Sequence, residues 1–247
     1  RLFRNTVFTG AITANLISMM VDVGFIYFAS QHLQLVSGLP PMYAGMLLIP
    51  GTLATIIAGL VIARVAVHFH PAQVVSFGLA LNAVAFAVLA FLGAHSDVVI
   101  ILIFIVLGTG IGIAQTISND LMLSSVPPRK AGAASAISET SYETGAVLGT
   151  VIIGGMLTAV YRANVVVPSG LDESLADHAH ETLGGAVTVA NHVGGEQANQ
   201  LLSSAFAAFD SGVVLSSAFS AVLMGVMAVI SYLMIRKAPR EMKPAEH

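Results

Sequence analysis

The chain has few charged residues and no cysteine, and each of these shortages excludes a class of protein or of site. Only 9% of its 247 residues are charged, whereas 56% are hydrophobic. Because a soluble domain carries charge on roughly a quarter of its residues, this composition excludes a soluble globular protein. The absence of cysteine excludes a disulfide framework and a thiolate metal site.

Several chemical motifs are also missing. The net charge of −3 provides no basic surface for nucleic acid, so no nucleic-acid partner is expected. The sequence has no P-loop and no Gly-x-Ser-x-Gly elbow, and His180-Glu181 lacks the second histidine of a zinc helix. The remaining paired histidines, His68 with His70 and His178 with His180, are expected to be solvated. We therefore predict no enzyme activity, no metal and no bound cofactor.

What the chain does contain is long apolar runs, and its mean hydropathy is +0.86. Runs of about 20 apolar residues can cross the hydrocarbon core as helices. They predict an all-α integral membrane protein with six transmembrane helices near residues 6–30, 42–67, 72–94, 98–119, 131–161 and 211–235.

The basic residues predict the orientation of these spans. Loops rich in Lys and Arg face the cytoplasm, and nine of the ten basic residues fall on one side of the predicted spans, with only Arg162 on the other. We therefore expect a multi-pass protein of the cell membrane with both ends of the segment cytoplasmic. Because the chain opens at Arg1 without an initiator Met, further residues are expected to precede it.

The predicted spans divide the chain into three parts. Residues 1–161 hold five transmembrane helices, residues 162–210 form an extracytoplasmic loop, and residues 211–247 hold the last span and a cytoplasmic tail. The apolar spacing in the loop predicts a helical hairpin with turns at Gly184-Gly185 and Gly194-Gly195. A solvated acidic loop is the alternative.

Two carboxylates interrupt the fifth span. Counted from Lys130 at ~1.5 Å per residue, Glu139 and Glu143 lie about 13 and 20 Å into the membrane, and their i, i+4 spacing places them on one helix face. Two carboxylates this close in a low dielectric do not both ionise easily, so we expect them to load and release a proton as a coupled pair. The alternative is a pair satisfied by Ser and Thr hydroxyls or by an Arg elsewhere.

Other polar residues within the spans are weaker candidates. Asp22, in the outer half of the first span, is a candidate for proton or cation handling, or else an interfacial carboxylate that reaches water. Asn15, Gln115 and Asn119 are candidates for the substrate cavity, although hydrogen bonding between helices is the commoner role of such groups. Tyr142 could line a cavity for aromatic cations, or pack in the core or against lipid.

Glycine and proline within the spans predict features of packing. Gly108 with Gly112, and Gly145 with Gly149, have the small-xxx-small spacing that brings two helices close together. Pro50 removes a backbone hydrogen bond inside the second span and is predicted to kink it.

Several segments resemble the fourteen-helix drug:proton antiporters of the major facilitator superfamily. The resemblance is strongest for GAASAISETSYETGAV at residues 132–147. It extends to SQHLQLVSGL at 30–39, QTISND at 115–120, YRANV at 161–165 and AFDSG at 208–212.

The resemblance implies a fold and a function. The six spans would form the carboxyl-terminal bundle of a major facilitator fold, with a helical hairpin before the last span, facing the amino-terminal half of the same transporter. The activity would be efflux of lipophilic cationic drugs and dyes by antiport, driven by the proton gradient rather than a cofactor, in contact with membrane lipid. Glu139 and Glu143 would match acidic positions of the family's penultimate helix.

Two alternatives remain at this point. The first is an exporter of a lipid or another amphipathic metabolite on the same fold. The second, more remote, is a six-span intramembrane enzyme or a scaffold.

Overall fold

A computed structural model describes residues 4–237 as a bundle of long helices. Three of the basic residues used to predict orientation, Arg1, Arg240 and Lys243, lie outside the described residues. Within the described range the α-helices are α1 (Thr6–Gln31), α2 (Pro41–Val65), α3 (Pro71–Leu92), α4 (Asp97–Ser124), α5 (Ala131–Leu148), α6 (Gly155–Asn164), α7 (Glu173–Glu181), α8 (Leu183–Val193) and α9 (Gly195–Ile235).

Two wider π-helical turns extend these helices. One, His32–Val36, continues α1, and the other, Gly149–Gly154, joins α5 to α6 in a single rod. With these joins, six helical stretches of the described chain are long and apolar enough to cross a membrane. The prediction of an all-α membrane protein with six spans is confirmed.

The first five predicted spans agree with the helices to within a few residues, but the last does not. Helix α9 begins at Gly195 rather than near residue 211, so the end of the predicted loop belongs to this 41-residue helix. One predicted turn was also wrong, because Gly184 and Gly185 lie inside α8. The chain turns instead at Thr182, between α7 and α8. The Thr182 hydroxyl caps α8 by accepting a 3.1 Å hydrogen bond from the Gly185 amide.

The helices pack in an order that leaves α2 and α5 on the two flanks. Helix α4 packs against α2, α3 and α1, while α1 also contacts α5 and α9, and α3 lies along α9. Helices α1 and α4 are therefore central. Helix α2 is the most exposed span, with only Ala44 and Gly51 buried.

Glycines allow α2 and α4 to approach at backbone distance. A Cβ atom on Gly108 would collide with the carbonyl oxygen of Gly51, and one on Gly112 with that of Thr55. This confirms the predicted small-xxx-small packing of α4.

The second glycine pair, Gly145 on α5 and Gly149 at the start of the π-helical turn that follows it, brings this rod equally close to α1. A Cβ atom on Gly145 would collide with the carbonyl oxygen of Leu16, and one on Gly149 with that of Met20. Since both helices have 3.6 residues per turn, two glycines four apart meet two carbonyls four apart. This contact fixes which faces of α1 and α5 lie opposite each other.

Helices α7 and α8 form a hairpin that is fastened to the end of α6. The buried Tyr161 hydroxyl donates a 2.8 Å hydrogen bond to the Ala179 carbonyl, and Arg162 Nε donates one of 3.0 Å to the Glu181 carbonyl. We call the end of the bundle that carries α7 and α8 the hairpin end.

Candidate functional site

Four polar side chains from three helices meet in one hydrogen-bonded group, which we call the asparagine cluster: Asn15 on α1, Asn119 on α4, and Ser138 and Tyr142 on α5. Asn119 is its centre. Its Oδ1 accepts hydrogen bonds from Asn15 Nδ2 at 3.1 Å and from Ser138 Oγ at 3.3 Å, and its Nδ2 donates to the Tyr142 hydroxyl at 2.8 Å. The cluster therefore joins the two central helices to the flanking helix α5.

The close contact between α1 and α5 accounts for the position of this cluster. Gly145 and Gly149 hold α5 against the backbone of α1 at Leu16 and Met20, so the turns just before the glycines also lie near α1. Tyr142 is three residues before Gly145, and Asn15 is next to Leu16 in sequence. Three of the four predicted cavity residues, Asn15, Asn119 and Tyr142, are thus brought into one group.

Glu139 lies beside the asparagine cluster. It lines a cavity of about 230 Å³ together with Asn119, Ser138 and Tyr142. Tyr142 is its i+3 neighbour on α5, which places the two side chains on adjacent turns of one face. Glu139 is exposed, and because it lines this cavity it can be reached from it.

Glu143 is exposed one turn further along the same face. No Lys, Arg or His of residues 4–237 lies within 4 Å of either glutamate carboxylate. The alternative that each is paired with an Arg elsewhere therefore finds no partner in the described bundle.

The exposed face around these glutamates, on α5 and the π-helical turn after it, is rich in polar side chains and also includes the apolar Val147. It carries hydroxyl and carboxylate groups over about four turns, on Ser135, Glu139, Thr140, Glu143, Thr144 and Thr150. An ionisable side chain in contact with lipid costs roughly 2.5–3.5 kcal/mol on insertion scales, so such residues usually face protein or a water-filled cavity. By contrast, the exposed face of α2 carries apolar residues such as Ile49, Leu53 and Ile56.

Gln115 lies on α4, one turn before Asn119, and lines a second cavity. This cavity of about 380 Å³ lies between α2 and α4, and Asn119 and Thr55 also contribute to its wall. Asn119 thus borders both cavities. Pro50 lies inside α2 on its exposed side, and the kink predicted there stays a prediction.

Asp22 is separate from the asparagine cluster but on the same helix as Asn15. It is partly buried in α1, and it forms no ion pair with any residue of 4–237. It lies seven residues beyond Asn15, towards the hairpin end.

The hairpin end contains two His–Asp pairs that sequence reasoning missed. His32 Nε2 lies 3.2 Å from Asp97 Oδ1, which also accepts a 2.5 Å hydrogen bond from Ser37. His95 Nε2 lies 3.6 Å from Asp210 Oδ2, whose other oxygen accepts a 2.6 Å bond from the Ala94 amide.

These pairs line a cavity of about 810 Å³. Their partners are far apart in the sequence, and Asp210 was assigned to the loop, so only the packing of α9 could have revealed them. Within the described residues no three His, Asp or Glu side chains converge as a metal site would require.

Comparison with known proteins places this bundle in a family. The model of the Major Facilitator Superfamily matches residues 1–150. The multidrug efflux pump LfrA of Mycolicibacterium smegmatis is 44% identical over 237 residues, covering 96% of this chain and 47% of LfrA. The methyl viologen resistance protein SmvA of Salmonella typhimurium is 31% identical over 247 residues, covering 97% of this chain and 49% of SmvA.

A third relative is matched with similar coverage. The tetracenomycin C resistance and export protein of Streptomyces glaucescens is 26% identical over 257 residues, covering 99% of this chain and 47% of that protein. The chain thus spans about half the length of the curated relatives it matches. Together with the six apolar helices, these matches show that the chain is a multi-pass membrane protein that belongs to the Major Facilitator Superfamily.

Proposed function

We propose that this chain is the carboxyl-terminal half of a multidrug efflux transporter that exchanges lipophilic cationic compounds for protons. The observation that carries the proposal is the pair Glu139 and Glu143, exposed on a polar face of α5 without a basic partner in the described bundle. A carboxylate in this situation gains stability either by binding a proton or by binding a cation. The two ligands therefore compete, and competition of this kind is what an antiporter requires.

The polar face of α5 and the length of the relatives support a second half of the transporter packed against α5. The polar face of α5 is unsuited to lipid, and the chain spans about half the length of its relatives. An amino-terminal bundle packed across this face would enclose the cavities beside Glu139 and Gln115. Alternating access would then expose the enclosed site to one side of the membrane at a time.

The names of the relatives support drugs as the cargo. LfrA is named a multidrug efflux pump and SmvA a methyl viologen resistance protein. A lipid or another amphipathic metabolite is a weaker candidate where it is anionic, because an anionic cargo needs basic groups in its cavity. The basic residues of the described spans lie near the span ends rather than beside the cluster: Arg64, Arg129, Lys130 and Arg162.

The orientation belongs to the same proposal. The surplus of Lys and Arg at the end opposite the hairpin favours the cytoplasm at that end. The hairpin end would then face outward, and Glu139 would lie nearer the cytoplasm than Asp22.

The experiment is dye efflux by the full-length protein with Glu139→Gln and, separately, Glu143→Gln. Because the Gln side chain neither binds nor releases a proton at these pH values, we expect Glu139→Gln to abolish proton-driven ethidium efflux. Glu173→Gln, which changes an exposed carboxylate on α7, is the matched control and should keep the normal rate. Unchanged efflux in both spanning variants would refute the proposal.

A further inference from the structure

Helix α1 carries a buried polar stripe that runs from the asparagine cluster towards the hairpin end. Asn15, Ser18 and Asp22 follow one another at i, i+3 and i+7, which places all three on one face of the helix. Asn15 and Ser18 are 1% and 0% exposed, and Asp22 is partly buried. Three polar groups therefore lie in a row within the central part of the bundle.

Two atoms of this stripe have no hydrogen-bond partner among the described residues. They are the Ser18 hydroxyl and Asn15 Oδ1, both of them buried. The Ser18 hydroxyl does not bond the carbonyl one turn earlier, as the Thr13 hydroxyl does to the Thr9 carbonyl at 2.8 Å on the same helix. A buried hydroxyl that gives up this local bond is placed to bond something else.

Ordered water is the partner that best fits these two atoms. Buried polar groups in proteins are almost always hydrogen-bonded, and where no protein group is near they bind water. Asn15, Ser18 and Asp22 are each one turn apart, or about 5–6 Å, a gap that one water molecule bridges with two ordinary hydrogen bonds.

We propose that water bound along Asn15, Ser18 and Asp22 forms a proton path that connects Asp22 with Glu139. The proposal rests on the function proposed above, because Glu139 is the group that the path serves. It assigns Asp22 as the proton entry, about 10 Å further along α1 than Asn15 at ~1.5 Å per residue.

The asparagine cluster completes the connection from α1 to α5. Asn15 bonds Asn119, Asn119 bonds the Tyr142 hydroxyl, and Tyr142 and Glu139 line the same small cavity. The asparagine amides do not give up protons under these conditions, so their role is to hold water and the Tyr142 hydroxyl in place.

The transfer balances as a chain of single proton steps. A proton leaves the Asp22 carboxyl for the adjacent water, and each water passes one proton onward as it receives one. The last donor, a water or the Tyr142 hydroxyl, gives its proton to the Glu139 carboxylate and is reprotonated from the chain. The net result is an ionised Asp22 and a neutral Glu139.

The test compares two serines of the same chemistry in the full-length protein reconstituted in liposomes. Ser18 and Ser217 are both fully buried with no partner among the described residues, but Ser217 lies on α9, which contributes no group to the proposed path. Ethidium transport driven by an imposed proton gradient is measured for Ser18→Ala, Ser217→Ala and Asp22→Asn, and ethidium binding is measured for each by fluorescence.

We expect Ser18→Ala to slow transport about fivefold, the effect of losing one hydrogen bond of ordinary strength, while Ser217→Ala keeps the normal rate. Asp22→Asn, which can no longer release a proton into the path, is expected to abolish proton-driven transport with ethidium binding preserved. Equal rates for Ser18→Ala and Ser217→Ala, or normal transport by Asp22→Asn, would overturn the path. If Glu139→Gln stops transport while these variants do not, the path fails and the proposed function stands. If Glu139→Gln has no effect, the path fails, and if Glu143→Gln has no effect either, the proposed function fails with it.

Discussion

The asparagine cluster and the hairpin end are both held together by polar side chains, but they differ in whether the polar groups have hydrogen-bond or ion-pair partners. At the hairpin end, the Tyr161 hydroxyl meets a backbone carbonyl, and Asp97 and Asp210 each accept hydrogen bonds beside a histidine. Around the cluster, two buried polar atoms lack partners and Glu139 has no cation beside it.

This difference separates a purely structural contact from a site that can bind a proton or a ligand. A satisfied buried polar group stabilises one arrangement, whereas an unsatisfied one is tolerated where water, an ion or a ligand binds. We therefore expect the hairpin end to behave as a rigid part of the bundle and the cluster to respond to ligands. The following predictions test the two regions against each other, beginning with the largest effect.

The largest effect is expected where α1 touches the π-helical turn that follows α5. Gly149→Ala places a methyl group against the Met20 carbonyl, and the two helices must separate to admit it. Overpacking of this kind costs about 3 kcal/mol, and it also pulls Tyr142 away from Asn119. The measurement is thermal unfolding in detergent.

Gly155→Ala is the control for that change, since a Cβ atom there meets nothing within 4 Å. It should leave the protein as stable or slightly more stable, because Ala favours helix over Gly by about 1 kcal/mol. Equal stability of the Gly149 and Gly155 variants would contradict the close contact.

An intermediate effect is expected from Asn119→Ala. It removes the acceptor of Asn15 and Ser138 and the donor to Tyr142, which should destabilise the bundle by about 2 kcal/mol. It should also weaken ethidium binding, because Asn119 borders both cavities. Asn164→Ala, which removes only a bond to the Val160 carbonyl on the same helix, serves as its control. Identical ethidium binding by the Asn119 and Asn164 variants would show that the cluster has only a structural role, like the contacts at the hairpin end.

The smallest effect is expected at the hairpin end. Tyr161→Phe leaves the Ala179 carbonyl without its donor at a cost of about 1 kcal/mol, and hydrogen exchange should rise in residues 173–193 while transport is kept. Tyr232→Phe, at an exposed position on α9, should change neither. Loss of transport by Tyr161→Phe would mean that the hairpin takes part in the transport cycle.

The sequence predicts the spans well because their signal is hydrophobicity over some twenty residues, which needs no knowledge of neighbours. It fails at α9 because residues 195–210 are amphipathic. Leu201 and Ala205 are buried, while Glu196 and Gln197 are exposed, so this stretch resembles a solvated loop by hydropathy.

The candidate site was predictable only where it depends on a single helix. Spacing along one helix places Glu139 and Glu143 on one face, since that depends only on helix geometry. Which asparagine meets which, and that Ser18 lacks a partner, depends on the rotation of α1 against α4 and α5. The glycine contacts set that rotation, and only the packed structure reveals it.

The central claim is that Glu139 exchanges a proton for a cationic compound, and dye-driven proton movement tests it most directly. The full-length protein is reconstituted in liposomes that contain a pH-sensitive dye, and an ethidium gradient is imposed without a proton gradient. We predict that the wild-type protein moves protons against the ethidium flow, whereas Glu139→Gln binds ethidium but moves no protons. Proton movement by Glu139→Gln at the wild-type rate would contradict the account.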